Sequence, residues 1–324
     1  MEERLNQILT LALKHHVTDI HLNVQGNRCE IEMRVNGRIR RVRAHEDDIR
    51  FFHYLMYRAN LDLSASLEPQ TGRFEADVNG QKLALRFATV SSYKVTSGVL
   101  RILNNHGALT IPDLSADPHL CDWLSSICSH RSGLYVFSGP TGSGKTTTLY
   151  TILNEVQDKK IFTLEDPIEV LSEKYVQLAV NDKRHLSYAD GIKQLMRHDP
   201  DIIMIGEIRD STAAEMAVRC SLTGHLVLTS IHSGSCVNAI NRLIDLGVSP
   251  LQLEDTLSGM SNQRLYDNPA GGKIGVYEVM DRKEIEYYFA NKRTSSSFHP
   301  LSQAIQEAIA RGVVEEAQAA QDLN

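Results

Sequence analysis

The sequence predicts an α/β chain in two parts, a smaller α+β module followed by a larger domain built on a parallel sheet. Three observations predict it. The hydrophobic period changes from helical to alternating within the first hundred residues; short apolar runs alternate with helical stretches beyond residue 133; and one of those runs leads into a glycine-rich segment ending in lysine and threonine.

The first module opens with a helical pattern, Leu5, Ile8, Leu9, Leu11, Ala12 and Leu13. Ile20, Leu22 and Val24 then alternate with polar neighbours, and Cys29 to Val35 alternates again before Asn36-Gly37, a dipeptide that favours a tight hairpin turn. Ile39 and Val42 begin the returning strand. A second hairpin is expected from Phe74, Ala76 and Val78, then Asn79-Gly80, then Leu83, Leu85 and Phe87. Around Asn104 to Leu114 the pattern weakens, with Gly107 and Pro112 as interruptions. The expected organisation is therefore an N-terminal domain over 1–105, a linker over 106–114 and a second domain over 115–324.

In the second domain Leu134 to Phe137, Ile161 to Leu164, Ile202 to Ile205 and Leu226 to Leu228 read as buried strands, separated by helices that include one starting at Lys145. Leu301 to Ala320 reads as a peripheral helix pair, and no repeat of 20 to 50 residues is visible.

Composition narrows the function classes. With 34 basic against 40 acidic side chains the formal charge is −6, which argues against a strongly basic nucleic-acid binder. No run of about 18 apolar residues occurs, and MEERLNQILT lacks the basic and apolar regions of an export signal. A soluble, cytoplasmic chain is expected, with docking onto a membrane complex left open. The five cysteines, Cys29, Cys121, Cys128, Cys220 and Cys236, form no Cys-x-x-Cys pair and read as reduced thiols, mostly small core residues. His15, His16 and His21 lie close in sequence, but no cysteine or acidic set completes a zinc site with them, and they read as surface residues.

The strongest signal is Gly139, Pro140, Thr141, Gly142, Ser143, Gly144, Lys145 and Thr146, followed by Thr147; the first eight satisfy G-x-x-x-x-G-K-[ST] between a strand and a helix. Glycines let successive N–H groups turn inward around phosphates, and the helix start adds its positive end there. Lys145 is expected to reach the β and γ phosphates, and Thr146 to offer its hydroxyl to Mg²⁺. A nucleoside triphosphate is the expected ligand.

Two acidic clusters compete to prepare the attacking water: Leu164-Glu165-Asp166-Pro167 and Gly206-Glu207-Ile208-Arg209-Asp210. Both are expected beyond carboxyl ends of parallel strands, where ligands sit. Gly206 stands where an ordinary Walker B strand puts aspartate, so metal coordination is expected from Thr146 and from Glu165 and Glu207 acting partly through water. His225 and His232 bracket one strand; at about 3.3 Å per residue they lie too far apart to share a metal. His232, at the carboxyl end, is placed to donate to a γ phosphate, whereas His225 reads equally well as structural.

Together these residues resemble the secretion and pilus ATPases of the type II secretion and type IV pilus superfamily. Thr163 to Glu169 looks like that family's aspartate box, Met196 to Asp210 like its atypical Walker B, and Thr223 to His232 like its histidine box; Thr18 to Leu22 and Pro69 to Arg73 also look like family signatures. The resemblance implies a RecA-like P-loop domain preceded by a PAS-like α+β domain. It implies that Glu207 is the catalytic glutamate, that Glu165 helps hold metal or water, and that His232 senses the γ phosphate. It further implies a hexameric homo-oligomer whose first domain lends arginines to the nucleotide site, with Arg73, Arg86 and Arg101 at the matching positions. An inserted arginine of that kind is worth about 10³ to 10⁵ in rate.

Gln263 to Gly275 runs on without the four cysteines of the family's zinc module, so no zinc is expected, and the long N-terminal docking domain of secretion ATPases is expected to be absent. The compact form is similar to the competence-pilus assembly ATPases of Gram-positive bacteria, with ATP and Mg as ligands, an inner-membrane platform protein as partner, peripheral attachment to the inner face of the cell membrane and no direct nucleic-acid binding. Retraction is the close rival reading. From another class, a P-loop kinase remains, although such chains usually open with the loop, and a regulatory GTPase is weaker because Asn291-Lys292-Arg293-Thr294 ends in threonine.

Overall fold

The computed structural model describes all residues except 16, 36–37, 65–67, 104–108, 181–186 and 324. The chain divides into two compact units, Met1–Gly107 and Ala108–Asn324. The expected Asn36-Gly37 turn, His16 and the first part of the expected linker lie outside the described residues.

The first unit runs α1 (Glu2–Lys14), β1 (Asp19–Gln25), β2 (Arg28–Val35), β3 (Arg38–Arg41), α2 (Asp48–Arg58), β4 (Gln70–Val78), β5 (Gln81–Ser91) and β6 (Thr96–Ile102). Its strands form one antiparallel sheet in the order β3-β2-β1-β6-β5-β4. Alternation puts Ile20, Leu22, Leu85, Phe87 and Leu100 on one face, where they form a core with Leu5, Leu9, Phe51 and Leu55 of the two helices. Asn79 and Gly80, both with positive φ, make the expected two-residue turn between β4 and β5.

The register carries one consequence for the arginines singled out above. Arg73 pairs with Arg86, Arg86 with Arg101, and Arg101 with Asp19, so the three arginines occupy one row across neighbouring strands. Like charges directly opposite repel; Asp19 offsets one of them, accepting from Arg101 Nε at 2.6 Å.

The second unit runs α3 (Ile111–Leu114), α4 (Pro118–Ile127), β7 (Gly133–Ser138), α5 (Lys145–Asn154), β8 (Ile161–Glu165), β9 (Val176–Ala179), α6 (Tyr188–Leu195), β10 (Ile202–Ile205), α7 (Ser211–Leu222), β11 (Leu226–Ile231), α8 (Cys236–Asp245), α9 (Pro250–Thr256), β12 (Leu257–Asp267), β13 (Lys273–Asp281), α10 (Arg282–Asn291), α11 (Leu301–Ala310) and α12 (Glu316–Ala319). The sheet order is β13-β12-β7-β11-β10-β8-β9, parallel throughout except for the β12–β13 hairpin. Strands β7, β8, β10 and β11 are buried along their whole length, which is why they read as continuous apolar runs.

Part of the expected linker is helical. Ile111–Leu114 is a turn of helix in which the Thr110 and Asp113 side chains cap each other's backbone, and Ile111 and Leu114 are buried in the core of the second unit. At the other end α11 and α12 pack against β12 and β13 through Tyr266, Val276, Leu301, Ile305 and Ala319. Among the described residues no helix is long and apolar enough to cross a membrane.

Candidate active site

Strand β7 lies inside the sheet, and the chain leaves its carboxyl end through Gly139–Gly144 into α5. Gly139 has φ +146, and a Cβ there would stand 2.7 Å from the carbonyl oxygen of Gln263. Only glycine lets the loop pass that close to β12. Ser143 is 3% exposed, and its hydroxyl finds no partner among the described residues. Such an orphaned buried hydroxyl, in a loop built to present donors, fits a phosphate ligand.

Lys145 is the first residue of α5 and is buried. Its ammonium donates to Gly139 O at 2.9 Å and Pro140 O at 3.1 Å, two carbonyls of its own loop. Burial pulls its pKa down, against the pull of Glu207 and Glu169, while the Arg264 guanidinium adds to the lowering.

Three strand ends converge on the same edge. Lys145 Nζ stands 3.5 Å from His232 Nδ1, just past the end of β11. His232 Nε2 stands 3.1 Å from Glu207 Oε1, just past the end of β10. An ammonium has no acceptor to offer, so Nδ1 must be the accepting nitrogen and the proton belongs on Nε2, facing Glu207. The other carboxylate oxygen of Glu207 accepts from Arg209 Nε at 3.1 Å, and Arg209 also reaches Asp166 at 3.3 Å. Glu207 is thus held from two sides with its side chain 21% exposed. That arrangement fixes its direction yet leaves it within reach of solvent, which is what a group that orients water requires.

Glu165, at the end of β8, is in a different state. It is 3% exposed, and its Oε1 accepts from the Tyr150 hydroxyl at 2.6 Å and the Thr163 hydroxyl at 2.7 Å. Gln177 donates in turn to Tyr150 at 2.8 Å. Burial raises the Glu165 pKa, and these hydroxyl bonds only partly oppose the rise. Gly206 is explained by the same crowding, because a Cβ there would sit 3.2 Å from Glu165 Cγ. An aspartate in the ordinary Walker B position would press against the buried carboxyl.

The structure therefore brings the loop, Lys145, Thr146, Glu165, Glu207 and His232 to one edge of one sheet, and it keeps Arg73, Arg86 and Arg101 together in the first unit. His225, at the opposite end of β11, bonds locally to Thr223 and the Cys220 carbonyl, the structural alternative of the sequence reading.

Sequence reasoning missed the supports from β12. Asn262 Nδ2 donates to Ser138 Oγ at 2.8 Å and to Ser233 O at 3.0 Å, tying the end of β7 to the turn after His232. Gln263 Nε2 donates to Ser143 O at 2.7 Å, turning that loop carbonyl outward. Both are fully buried polar residues, adjacent on a strand that is buried over most of its length, which was the available signal.

A family model described as Type II/IV secretion system protein matches residues 1–318. The chain is 36% identical to "Competence protein ComGA" of Bacillus subtilis over 82% of this chain and 76% of that protein. It is 37% identical to "Type II secretion system protein E" of Pseudomonas aeruginosa over 81% of this chain and 53% of that one, and so spans about half the length of that relative. Among solved structures, the crystal structure of the pilus retraction motor PilT with bound ADP superposes with a TM-score of 0.76 at 25% identity, covering 98% of this chain and 96% of that one.

Proposed function

Because the chain belongs to the Type II/IV secretion system protein family, a family of ATP-hydrolysing motors, we propose that it hydrolyses ATP to drive assembly of a type IV-like pilus or pseudopilus. The observation that carries the reading is the chain of contacts from Lys145 through His232 to Glu207 at the mouth of the phosphate loop. In this reading the loop N–H groups and Lys145 bind the β and γ phosphates, which take over from the Gly139 and Pro140 carbonyls. Glu207, aimed by His232 and Arg209, orients and polarises the attacking water, and His232 reports the γ phosphate to the strand that carries it. Nothing beyond water is needed as acceptor.

Magnesium, when bound, neutralises charge across the phosphate oxygens. Thr146 would hold it, with Glu207 and Glu165 acting through water. Among the described residues no group of three or more His, Cys, Asp or Glu side chains could hold a metal ion by itself.

The same reading makes the chain a cytoplasmic hexamer docked on an inner-membrane platform protein, with Arg73, Arg86 and Arg101 of the first unit completing the nucleotide site. Their placement in one row supports a shared task. It gives the first unit a PAS-like fold, supported by a sheet whose first and last strands, β1 and β6, lie side by side at the centre. The likeness to a competence protein supports a DNA-uptake pilus, as in the compact Gram-positive assembly ATPases. Retraction is the second reading, favoured by the full-length likeness to PilT. Phosphate release by the purified chain with Mg-ATP and no acceptor tests the enzymatic core; no release above background would return the chain to the kinase class.

A further inference from the structure

Arg264 is absorbed by none of the roles above. It follows Gln263 on β12, next to β7 and level with the start of the phosphate loop, since Asn262 pairs with Ser138 in the parallel register. Its Nη1 donates to Asn262 Oδ1 and to Gln263 O, each at 3.1 Å. That Gln263 carbonyl is, with Ser143 Oγ, one of the two atoms a Cβ on Gly139 would strike. The Asn262 amide, on its other side, holds Ser233, the residue after His232. The guanidinium is therefore framed by the phosphate loop and by the turn that carries His232.

A positive charge near the buried Lys145 costs free energy when no anion is present. The chain compensates from its far end. Asp322 accepts from Arg264 Nε at 2.8 Å through one oxygen and from the Tyr266 hydroxyl at 2.7 Å through the other. The pair is largely buried, with side chains 17% and 26% exposed. Asp322 itself is placed by α12 and the apolar contacts of Ala319 and Leu323 with the α11 cluster. Among the described residues Nη2 makes no hydrogen bond, which leaves a donor over on a side chain otherwise fixed at two atoms.

We propose that Arg264 is a further phosphate-binding residue of the nucleotide site, and that Asp322 is the positioning residue that holds its guanidinium beside the loop. A planar fork held through Nε and one terminal nitrogen keeps its remaining N–H groups for a phosphate oxygen, a geometry lysine cannot supply. The proposal rests on the nucleotide-site reading above.

The test is equilibrium binding of a nonhydrolysable ATP analogue to the full chain, together with the melting temperature of the nucleotide-free protein. Arg264→Gln is expected to weaken binding about 10- to 100-fold, the loss of a charge-assisted bond. Asp322→Asn keeps the arginine but frees it, and is expected to weaken binding about 3- to 10-fold; Asp322→Glu should recover most of that loss. If Arg264→Gln and Asp322→Asn lower the melting temperature but leave affinity within about twofold, the pair only straps down the C-terminal segment and the proposal falls. If Arg264→Gln does not fold, the affinity of Asp322→Asn alone decides between the two outcomes. Lys145→Ala serves as the reference: unchanged affinity in that variant would overturn the nucleotide site itself, a result distinct from failure at Arg264.

Discussion

Glu165 and Glu207 close neighbouring parallel strands, β8 and β10, with Glu165 level with Gly206 and Glu207 one residue further out. One step along the chain separates two environments. Glu165 is enclosed, accepts from two hydroxyls and has its pKa raised by burial. Glu207 stands at the rim between His232 and Arg209. The contrast teaches that a strand-end acid is not defined by its position in the sheet alone. Burial, only partly opposed by the neighbouring hydroxyl donors, raises the pKa of Glu165, while Glu207 stays at the rim within reach of solvent.

The sharpest way to break that contrast is Glu207→Gln, which should leave ATP binding near normal and lower kcat by about 10² to 10⁴, the worth of a positioned base. Near-normal turnover would move the role to Glu165. Next, Tyr150→Phe removes one hydroxyl from Glu165 and one of the two acceptors of the Gln177 amide, which keeps the Val170 carbonyl. It should destabilise the fold by about 1 to 3 kcal/mol in urea unfolding, with a smaller effect on kcat than Glu207→Gln. His232→Ala takes away one of the two groups that aim Glu207, and a loss in kcat of about tenfold is expected, equivalent to about 1.4 kcal/mol; no change would mean that Arg209 aims the carboxylate unaided.

The smallest effect is a matter of slope. Glu165 has a folded pKa above its ordinary value of 4.5, so the folded chain binds that proton more strongly than the unfolded one. The resulting stabilisation is complete below 4.5 and is lost as pH rises through the folded value. Wild type should therefore lose stability relative to Glu165→Gln as pH climbs from about 4.5 toward neutrality. Parallel unfolding curves for the two proteins across that range would show that burial leaves the carboxyl unperturbed.

Much of this site could be read from the chain because its signals are local. The phosphate loop is a run of adjacent residues, and the strand-end positions of Glu165, Glu207 and His232 follow from apolar runs that stop just before them. The supports are different. Tyr150, Asn262 and Gln263 act on residues 15, 124 and 120 positions away, and only the register of β12 against β7 brings the latter two into place. No window of neighbouring residues contains that information. The short helix at Ile111–Leu114 has a local signal that a second one hides: Thr110, Pro112 and Asp113 spell a helix start, while Gly107 and Pro112 together resemble a break in regular structure.

The ammonium of Lys145 already has two carbonyl partners, Gly139 and Pro140. An incoming anion must outcompete those oxygens rather than fill an empty hole. Weak acceptors such as chloride gain little by the exchange, whereas a polyphosphate, with several charged oxygens spread along the cradle, gains enough to displace both. If the loop grips a triphosphate as proposed, that competition favours polyphosphates over weak acceptors.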